Sequence, residues 1–117
     1  MRINWEQELH ELNGDVMLEL ELVDGKAIVK TRMVGDVEEP VTLTLGRGCI
    51  SALLSEFRGD EQTNSQKFDR FNLAMQIVNN PEEPMAKGDV TLIKERVGRR
   101  YPAYTMGIIW QMLESNE

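Results

Sequence analysis

An aliphatic residue recurs at every second position over residues 16–22, as Val16, Leu18, Leu20 and Leu22, and an Asp24-Gly25 pair follows this run. Alternation with a period of two is typical of a β-strand, and Asp-Gly is a preferred dipeptide for two-residue hairpin turns. The sequence therefore predicts a β-hairpin with a defined register. That register pairs Leu22 with Ala27, Leu20 with Val29, Glu19 with Lys30, Leu18 with Thr31 and Val16 with Met33.

A third strand is predicted after this hairpin. Residues 35–40 contain glycine, proline and three acidic residues, which is typical of a connecting segment. Alternation then returns over residues 41–45. We expect an antiparallel meander with one apolar face buried and the other face in contact with water.

Four helices are predicted beyond Gly46-Arg47-Gly48, because the apolar period changes there from two to about 3.6. The first should end near Arg58-Gly59, and the second should begin at a Thr63-x-x-Gln66 capping box and end at residues 79–81. The third should cover residues 88–98, and the fourth should follow Pro102. We expect the second helix to pack centrally, through an apolar face formed by Phe68, Phe71, Leu73, Ala74, Met75, Ile77 and Val78.

Strands followed by helices indicate the α+β class. We expect a small antiparallel β-meander of about three strands, followed by three to four α-helices packed on one face. A length of 117 residues is typical of one domain. The predicted domain covers residues 1–117, with an acidic β part at residues 1–45 and a helical part at residues 46–117.

Charge is the next feature, because it narrows the classes of partner. The chain has 20 acidic and 13 basic residues, for a formal net charge of −7. Ten of the acidic residues and four of the basic ones lie in residues 1–39. This balance argues against a general nucleic-acid-binding surface and against anionic membranes. No stretch approaches the ~20 apolar residues of a membrane-spanning helix, so we expect a cytoplasmic protein.

The numbers of histidine and cysteine residues exclude many kinds of catalytic and metal site. The chain has one histidine, His10, and one cysteine, Cys49. One chain therefore cannot supply a zinc cluster or a disulfide framework, and no catalytic, cofactor-binding or metal-binding set is recognisable. We expect the protein not to be an enzyme and to need no cofactor.

Three isolated features still carry alternative interpretations. His10 lies near Glu8 and Glu11, where it is either a base or metal ligand or a solvated surface residue. Cys49 starts a helical stripe, so it is either a thiol activated by the helix dipole or a buried packing residue. Residues 46–48 either bind an anion or turn the chain sharply. In each case the second interpretation is favoured.

Two charged clusters are candidate interaction sites. The basic cluster either contacts a nucleic acid or an acidic partner, or it balances the dipole at a helix C-terminus; it consists of Lys94, Arg96, Arg99 and Arg100. The acidic cluster either imitates the phosphates of a DNA duplex or only confers solubility; its candidate interaction residues are Glu19, Glu21, Asp24, Asp36, Glu38 and Glu39.

A dispersed pattern over residues 42–114 resembles a family of small proteins of tailed bacteriophages and prophages. Its matching segments are residues 41–46, 52–54, 67–74, 92–98, 107–110 and 113–114. The resemblance implies a phage-type protein acting in the bacterial host cytoplasm, and it implies nothing about catalysis. The N-terminal hairpin is longer than the segment expected from that pattern, so a partner bound there would not follow from the family.

These observations favour a non-enzymatic, phage-type accessory protein that binds a host or phage protein. One use is inhibition of a host defence or DNA-processing factor through the acidic face. The alternatives are a virion or tail assembly chaperone, and a small nucleic-acid-binding regulator that uses the basic cluster. The free edges of a meander also allow a homodimer formed by strand pairing.

Overall fold

The computed structural model describes residues 3–60 and 62–115, and the side chain of Leu22 lies outside this description. The described residues form four strands and four helices, which confirms the α+β class. The strands are β1 (Leu20–Val23), β2 (Lys26–Val29), β3 (Thr31–Val34) and β4 (Val37–Pro40). The helices are α1 (Leu45–Leu54), α2 (Asn64–Asn79), α3 (Lys87–Arg100) and α4 (Ala103–Ser115).

The first hairpin has the predicted turn and register. Asp24 and Gly25 have φ angles of 52° and 79°, and positive φ at both central residues is what a type I′ turn requires. Strands β1 and β2 are antiparallel, with Leu20 opposite Val29 and the backbone of Leu22 opposite that of Ala27. The prediction of residues 20–29 as a hairpin is therefore confirmed.

The second hairpin corrects the predicted meander. Residues 37–40, expected in a connection, form β4 and pair with β3 across a turn at Gly35-Asp36. The predicted pairing of Leu18 with Thr31 and of Val16 with Met33 is wrong. In the structure Thr31 lies opposite Pro40 and Met33 opposite Glu38, while Leu18 bridges Thr42 and Val16 bridges His10. Alternation is the same in both arrangements, so it does not show where a strand changes its partner.

A cyclic set of three backbone hydrogen bonds joins the two hairpins to the chain that carries them. The Lys30 amide donates to the Glu19 carbonyl at 2.8 Å, and the Glu19 amide donates to the Val41 carbonyl at 2.7 Å. The Val41 amide donates to the Lys30 carbonyl at 2.8 Å, which closes the set. Three antiparallel ladders therefore meet at these residues, and two of them are the projecting hairpins.

A second cyclic set lies beneath the first, on the core side. The Leu9 amide donates to Leu43 at 3.0 Å, Leu43 donates to Met17 at 2.8 Å, and Met17 donates to Leu9 at 2.7 Å. All three side chains are buried. Residues 41–44, expected as part of a third strand, do not form a regular strand and lead directly into α1. They make only isolated β-bridges, between Thr42 and Leu18 and between Thr44 and Glu8.

Helix α1, rather than the predicted α2, is the central helix, because it contacts α2, α3 and α4. Thr44 caps it by accepting a hydrogen bond from the Arg47 amide. Gly46 and Gly48 lie inside the helix and are buried, so they do not form the sharp turn that the sequence predicted. The Gly46 amide donates to the Trp5 carbonyl at 2.8 Å, which brings the N-terminal segment directly against the helix.

Helix α2 begins at the predicted capping box, formed by Thr63 and Gln66. Its buried face is nevertheless rotated from the expected one, because the residues that face the core are Arg70, Leu73, Ala74 and Ile77. Three residues of the predicted apolar face are exposed, by 61%, 46% and 54%. They are Phe68, Phe71 and Val78.

Replacing Gly46 with alanine should destabilise the fold. A Cβ at this position would lie 3.1 Å from both the Trp5 Cβ and the Trp5 carbonyl oxygen. Relieving such an overlap costs about 1–3 kcal/mol of unfolding free energy, measurable by urea denaturation. Gly107→Ala in α4 is the matched control, because nothing lies within 4 Å of its added Cβ. That control should be neutral or stabilising by up to about 1 kcal/mol; equal losses in both variants would contradict the packing explanation.

Candidate functional site

The two hairpins project into solvent. Every residue of β2, β3 and β4 is exposed, so the predicted burial of one sheet face is wrong for residues 26–40. A two-stranded hairpin buries little surface by itself, and within the described residues no helix makes an extensive contact with these strands. The exposed large apolar side chains of the hairpins are Leu20, Val23, Ile28, Val29, Met33, Val34 and Val37. We call residues 20–40 the hairpin surface.

Five of the six predicted acidic interaction residues lie on the hairpin surface. Glu21 is on β1, Asp24 and Asp36 occupy the two turns, and Glu38 and Glu39 are on β4. All five are exposed. The same segment carries three basic residues, Lys26, Lys30 and Arg32. The hairpin surface is therefore both apolar and acidic.

Glu19, the sixth acidic candidate, is not part of this exposed set. Its side chain is 20% exposed and lies at the base of the hairpins, where it accepts a hydrogen bond from Arg47 Nε. Lys30 Nζ is 3.7 Å from its other carboxylate oxygen, which confirms the predicted contact between Glu19 and Lys30. Glu19 therefore ties the hairpins to α1.

The basic cluster is largely engaged within the fold. Arg96 is fully buried, whereas a surface contact requires exposure, so its assignment as an interaction residue is wrong. Its guanidinium donates to both carboxylate oxygens of Asp60 at 3.1 Å and to the Ser55 carbonyl at 2.6 Å. Arg99 also donates to Asp60. Asp60 is the partner that sequence reasoning missed.

The other two cations of the cluster have aromatic neighbours. The Arg100 guanidinium lies 4.9 Å from the centre of the Tyr101 ring. Lys94 Nζ is 3.2 Å from a Glu114 carboxylate oxygen and 5.7 Å from the centre of the Trp110 ring. Arg99 and Arg100 remain exposed, but Lys94 and Arg96 serve to hold α3 against its neighbours.

Asp60 has an electrostatic environment that keeps it ionised. Hydrogen bonds from the Arg96 side chain and from the Phe57 amide, at 2.8 Å, hold the pKa of the Asp60 carboxyl well below its usual range. The charges of Arg96 and Arg99 act in the same direction. The Phe57 ring also lies 4.5 Å from the Arg96 guanidinium. These contacts hold Phe57 and Asp60, which follow α1, against α3.

A second buried arginine reaches the same loop from α2. Arg70 is 3% exposed and donates to the Leu53 carbonyl at 2.9 Å and the Ser55 carbonyl at 3.0 Å. The burial of Arg70 could have been inferred from its position in the sequence. Arg70 shares a helical face with Leu73 and Ile77, where a solvated arginine is not expected.

The remaining sequence candidates have structural roles. His10 is exposed, and its carbonyl accepts a hydrogen bond from the Tyr104 hydroxyl at 3.1 Å. Cys49 is fully buried, as the packing interpretation predicted, and burial raises the pKa of its thiol far above the usual range. Arg47 is engaged by Glu19. Within residues 3–60 and 62–115, no three His, Cys, Asp or Glu side chains are grouped as a metal site.

The helices of the described segments are also too short or too polar to cross a bilayer.

Replacing Asp60 with asparagine should lower stability in a pH-dependent way. A carboxyl whose pKa is lowered by folding stabilises the folded state above its unfolded pKa of about 4, and this contribution is lost as the pH falls further. The variant should therefore be less stable than the wild type at pH 7, and the difference should shrink between pH 4 and pH 2. Urea unfolding across this range measures it.

Glu56→Gln is the matched control, because Glu56 also pairs with a buried arginine but is 62% exposed. Its effect at pH 7 should be smaller. A difference between wild type and Asp60→Asn that is constant from pH 7 to pH 2 would contradict the assignment.

We found no match for the chain among protein-family models, curated proteins or solved structures. The resemblance to phage and prophage proteins therefore stays a prediction.

Proposed function

We propose that this chain is a non-enzymatic, phage-type accessory protein that binds another protein through the hairpin surface. The observation that carries the proposal is the exposure of seven large apolar side chains on two strand pairs with which, among the described residues, no helix makes an extensive contact. Contiguous exposed apolar patches on a folded protein are typical of interaction sites.

Support comes from the separation between this surface and the core. Among the described side chains, the buried apolar cluster contains residues from the N-terminal segment, the junction and all four helices, but none from residues 20, 21 and 23–40. The described apolar side chains of the hairpins therefore do little to stabilise the core. Residues 20–40 make up a substantial share of the chain. Binding to a partner would account for the exposed apolar residues in this segment.

The acidic residues favour inhibition of a basic partner as the first use. The exposed carboxylates of the hairpin surface attract a positively charged protein, and such attraction speeds association and weakens with salt. A host defence or DNA-processing factor in the bacterial cytoplasm has the required charge where it binds DNA. The hairpin surface of this chain would occupy the DNA-binding surface of that factor.

The exposed apolar side chains favour a second use, assistance in virion or tail assembly. An assembly chaperone holds an apolar segment of a phage structural protein, and apolar contact depends little on salt. The nucleic-acid regulator receives less support, because Arg96 is buried and Lys94 is paired within the fold.

Capture of bacterial and phage proteins by the tagged chain tests the proposal. A triple variant, Ile28→Ser, Met33→Ser and Val37→Ser, removes three hairpin side chains that are 43%, 65% and 60% exposed. Because exposed substitutions change stability by only about 0.5 kcal/mol each, the variant should remain folded. It should retain at least about tenfold less of the specific partner, equivalent to about 1.4 kcal/mol.

Phe68→Ser with Phe71→Ser is the matched control, since it removes comparably exposed apolar side chains from α2. This variant should retain the partner at the wild-type level. Release of the partner by 0.5 M salt would favour inhibition of a basic factor, and retention would favour assembly. Equal capture by the wild type and the hairpin variant would refute the proposal.

A further inference from the structure

The hairpin surface has four strand edges, and the hydrogen-bonding pattern shows which backbone groups they offer. Antiparallel pairs alternate between bonded and non-bonded positions. Because Glu19 and Lys30 are bonded, Leu20 and Leu22 of β1 direct their backbone groups away from β2. By the same alternation the outward groups on the other strands belong to Ala27, Val29, Thr31, Met33, Glu38 and Pro40.

Three of these edges carry features that discourage pairing with a basic strand. Pro40 has no amide hydrogen, so β4 lacks one of its outward donors. Lys26 on β2 and Arg32 on β3 repel positive charge, and lysine or proline at a strand edge is a common protection against unwanted pairing. Strand β1 has neither a proline nor a basic residue.

The charge on β1 is available to a partner. Glu21 is exposed and lies opposite Ile28 rather than opposite a base. Within the described residues its carboxylate has no ion pair, whereas Glu19 at the base of the hairpins has two. Leu20 and Val23 on the same strand are 56% and 44% exposed. The edge of β1 therefore combines free backbone groups, apolar side chains and one unneutralised carboxylate.

We infer that the edge of β1 accepts an extended protein segment in which apolar and basic residues alternate. The segment would add a third strand to the first hairpin through the outward backbone groups of Leu20 and Leu22. A basic side chain would lie beside Glu21 on one face of the strand, and an apolar side chain would lie beside Leu20 on the other face. This inference rests on the proposed function, and it names the partner chemistry of the same surface.

The negative charge of Glu21 favours a basic segment at this edge over a second copy of the chain. Two β1 strands paired with each other would bring two Glu21 carboxylates to one interface and supply no base. Like charges at paired strand positions are destabilising, whereas opposite charges contribute favourably. Self-association through β1 is therefore an outcome that would overturn the inference.

Two synthetic peptides test the inference on the full chain. The first is Val-Lys-Val-Lys-Val-Lys-Val, and the second replaces each lysine with glutamate. The lysine peptide should bind with a dissociation constant at least about tenfold below that of the glutamate peptide, a difference of about 1.4 kcal/mol. Backbone NMR should show the largest amide shifts and new exchange protection at Leu20 and Leu22.

Charge reversal at one position separates β1 from the rest of the hairpin surface. Glu21→Lys should weaken binding of the lysine peptide about tenfold and strengthen binding of the glutamate peptide. Glu39→Lys is the matched control, because it makes the same charge change on β4, whose edge ends at Pro40. The control should bind the lysine peptide within about twofold of the wild type, because a rim charge outside the contact changes affinity little.

Blocking one amide gives a second, independent variant. Leu20→Pro removes an outward donor from β1, and Ala27→Pro removes the equivalent donor from β2. Only the first should abolish peptide binding. If both or neither variant abolishes it, the assignment to the β1 edge is wrong.

The remaining outcomes are also decisive. Equal binding of both peptides, or amide shifts confined to β3 and β4, would overturn the inference. So would a dimer in sedimentation that dissociates in Leu20→Pro, because a second copy would then occupy the edge. If the lysine peptide does not bind but the Ile28, Met33 and Val37 variant still loses its captured partner, this inference fails and the proposed function stands.

Discussion

Two buried guanidinium groups at the C-terminal end of α1 hold the three-helix centre of the protein together. Arg70 from α2 and Arg96 from α3 both donate to the carbonyl of Ser55, the residue that caps α1. The last carbonyls of a helix lack partners within it and carry partial negative charge, so cations are favourable there. Because buried charges also need counter-ions, Asp60 and Glu56 complete the group. The positions of α2 and α3 relative to α1 depend on these contacts.

The N-terminal segment and the junction attach to this helical centre through α1. The N-terminal segment packs on α1 where Gly46 meets Trp5, and the junction of Leu9, Met17 and Leu43 lies against the same core. Beyond the junction the chain continues into two strand pairs, and none of their described side chains belongs to the buried cluster. Stability is therefore concentrated in the helices and the junction. The residues of the hairpins are therefore available for contact with a partner, and the proposed function depends on this availability.

Sequence reasoning succeeded where a local rule determines structure. The Asp24-Gly25 turn, the register of β1 with β2, the Thr63 cap and the burial of Cys49 all depend on neighbouring residues. It failed where a tertiary contact decides. Alternation does not show that β3 pairs with β4, and helical periodicity does not distinguish the Phe68 face of α2 from the Arg70 face. The burial of Arg96 depends on Asp60, which is 36 residues away.

Amide hydrogen exchange of the free chain is the most direct test of the central claim, that the hairpins lie outside the stabilising core. Amides that open locally exchange faster than those that require global unfolding. The account predicts that the bonded amides of β1 to β4 exchange at least about a hundredfold faster than those of α1 and α3, equivalent to about 2.7 kcal/mol. Protection of the hairpin amides equal to that of α1 in the free monomer would contradict it, because the hairpins would then belong to the core.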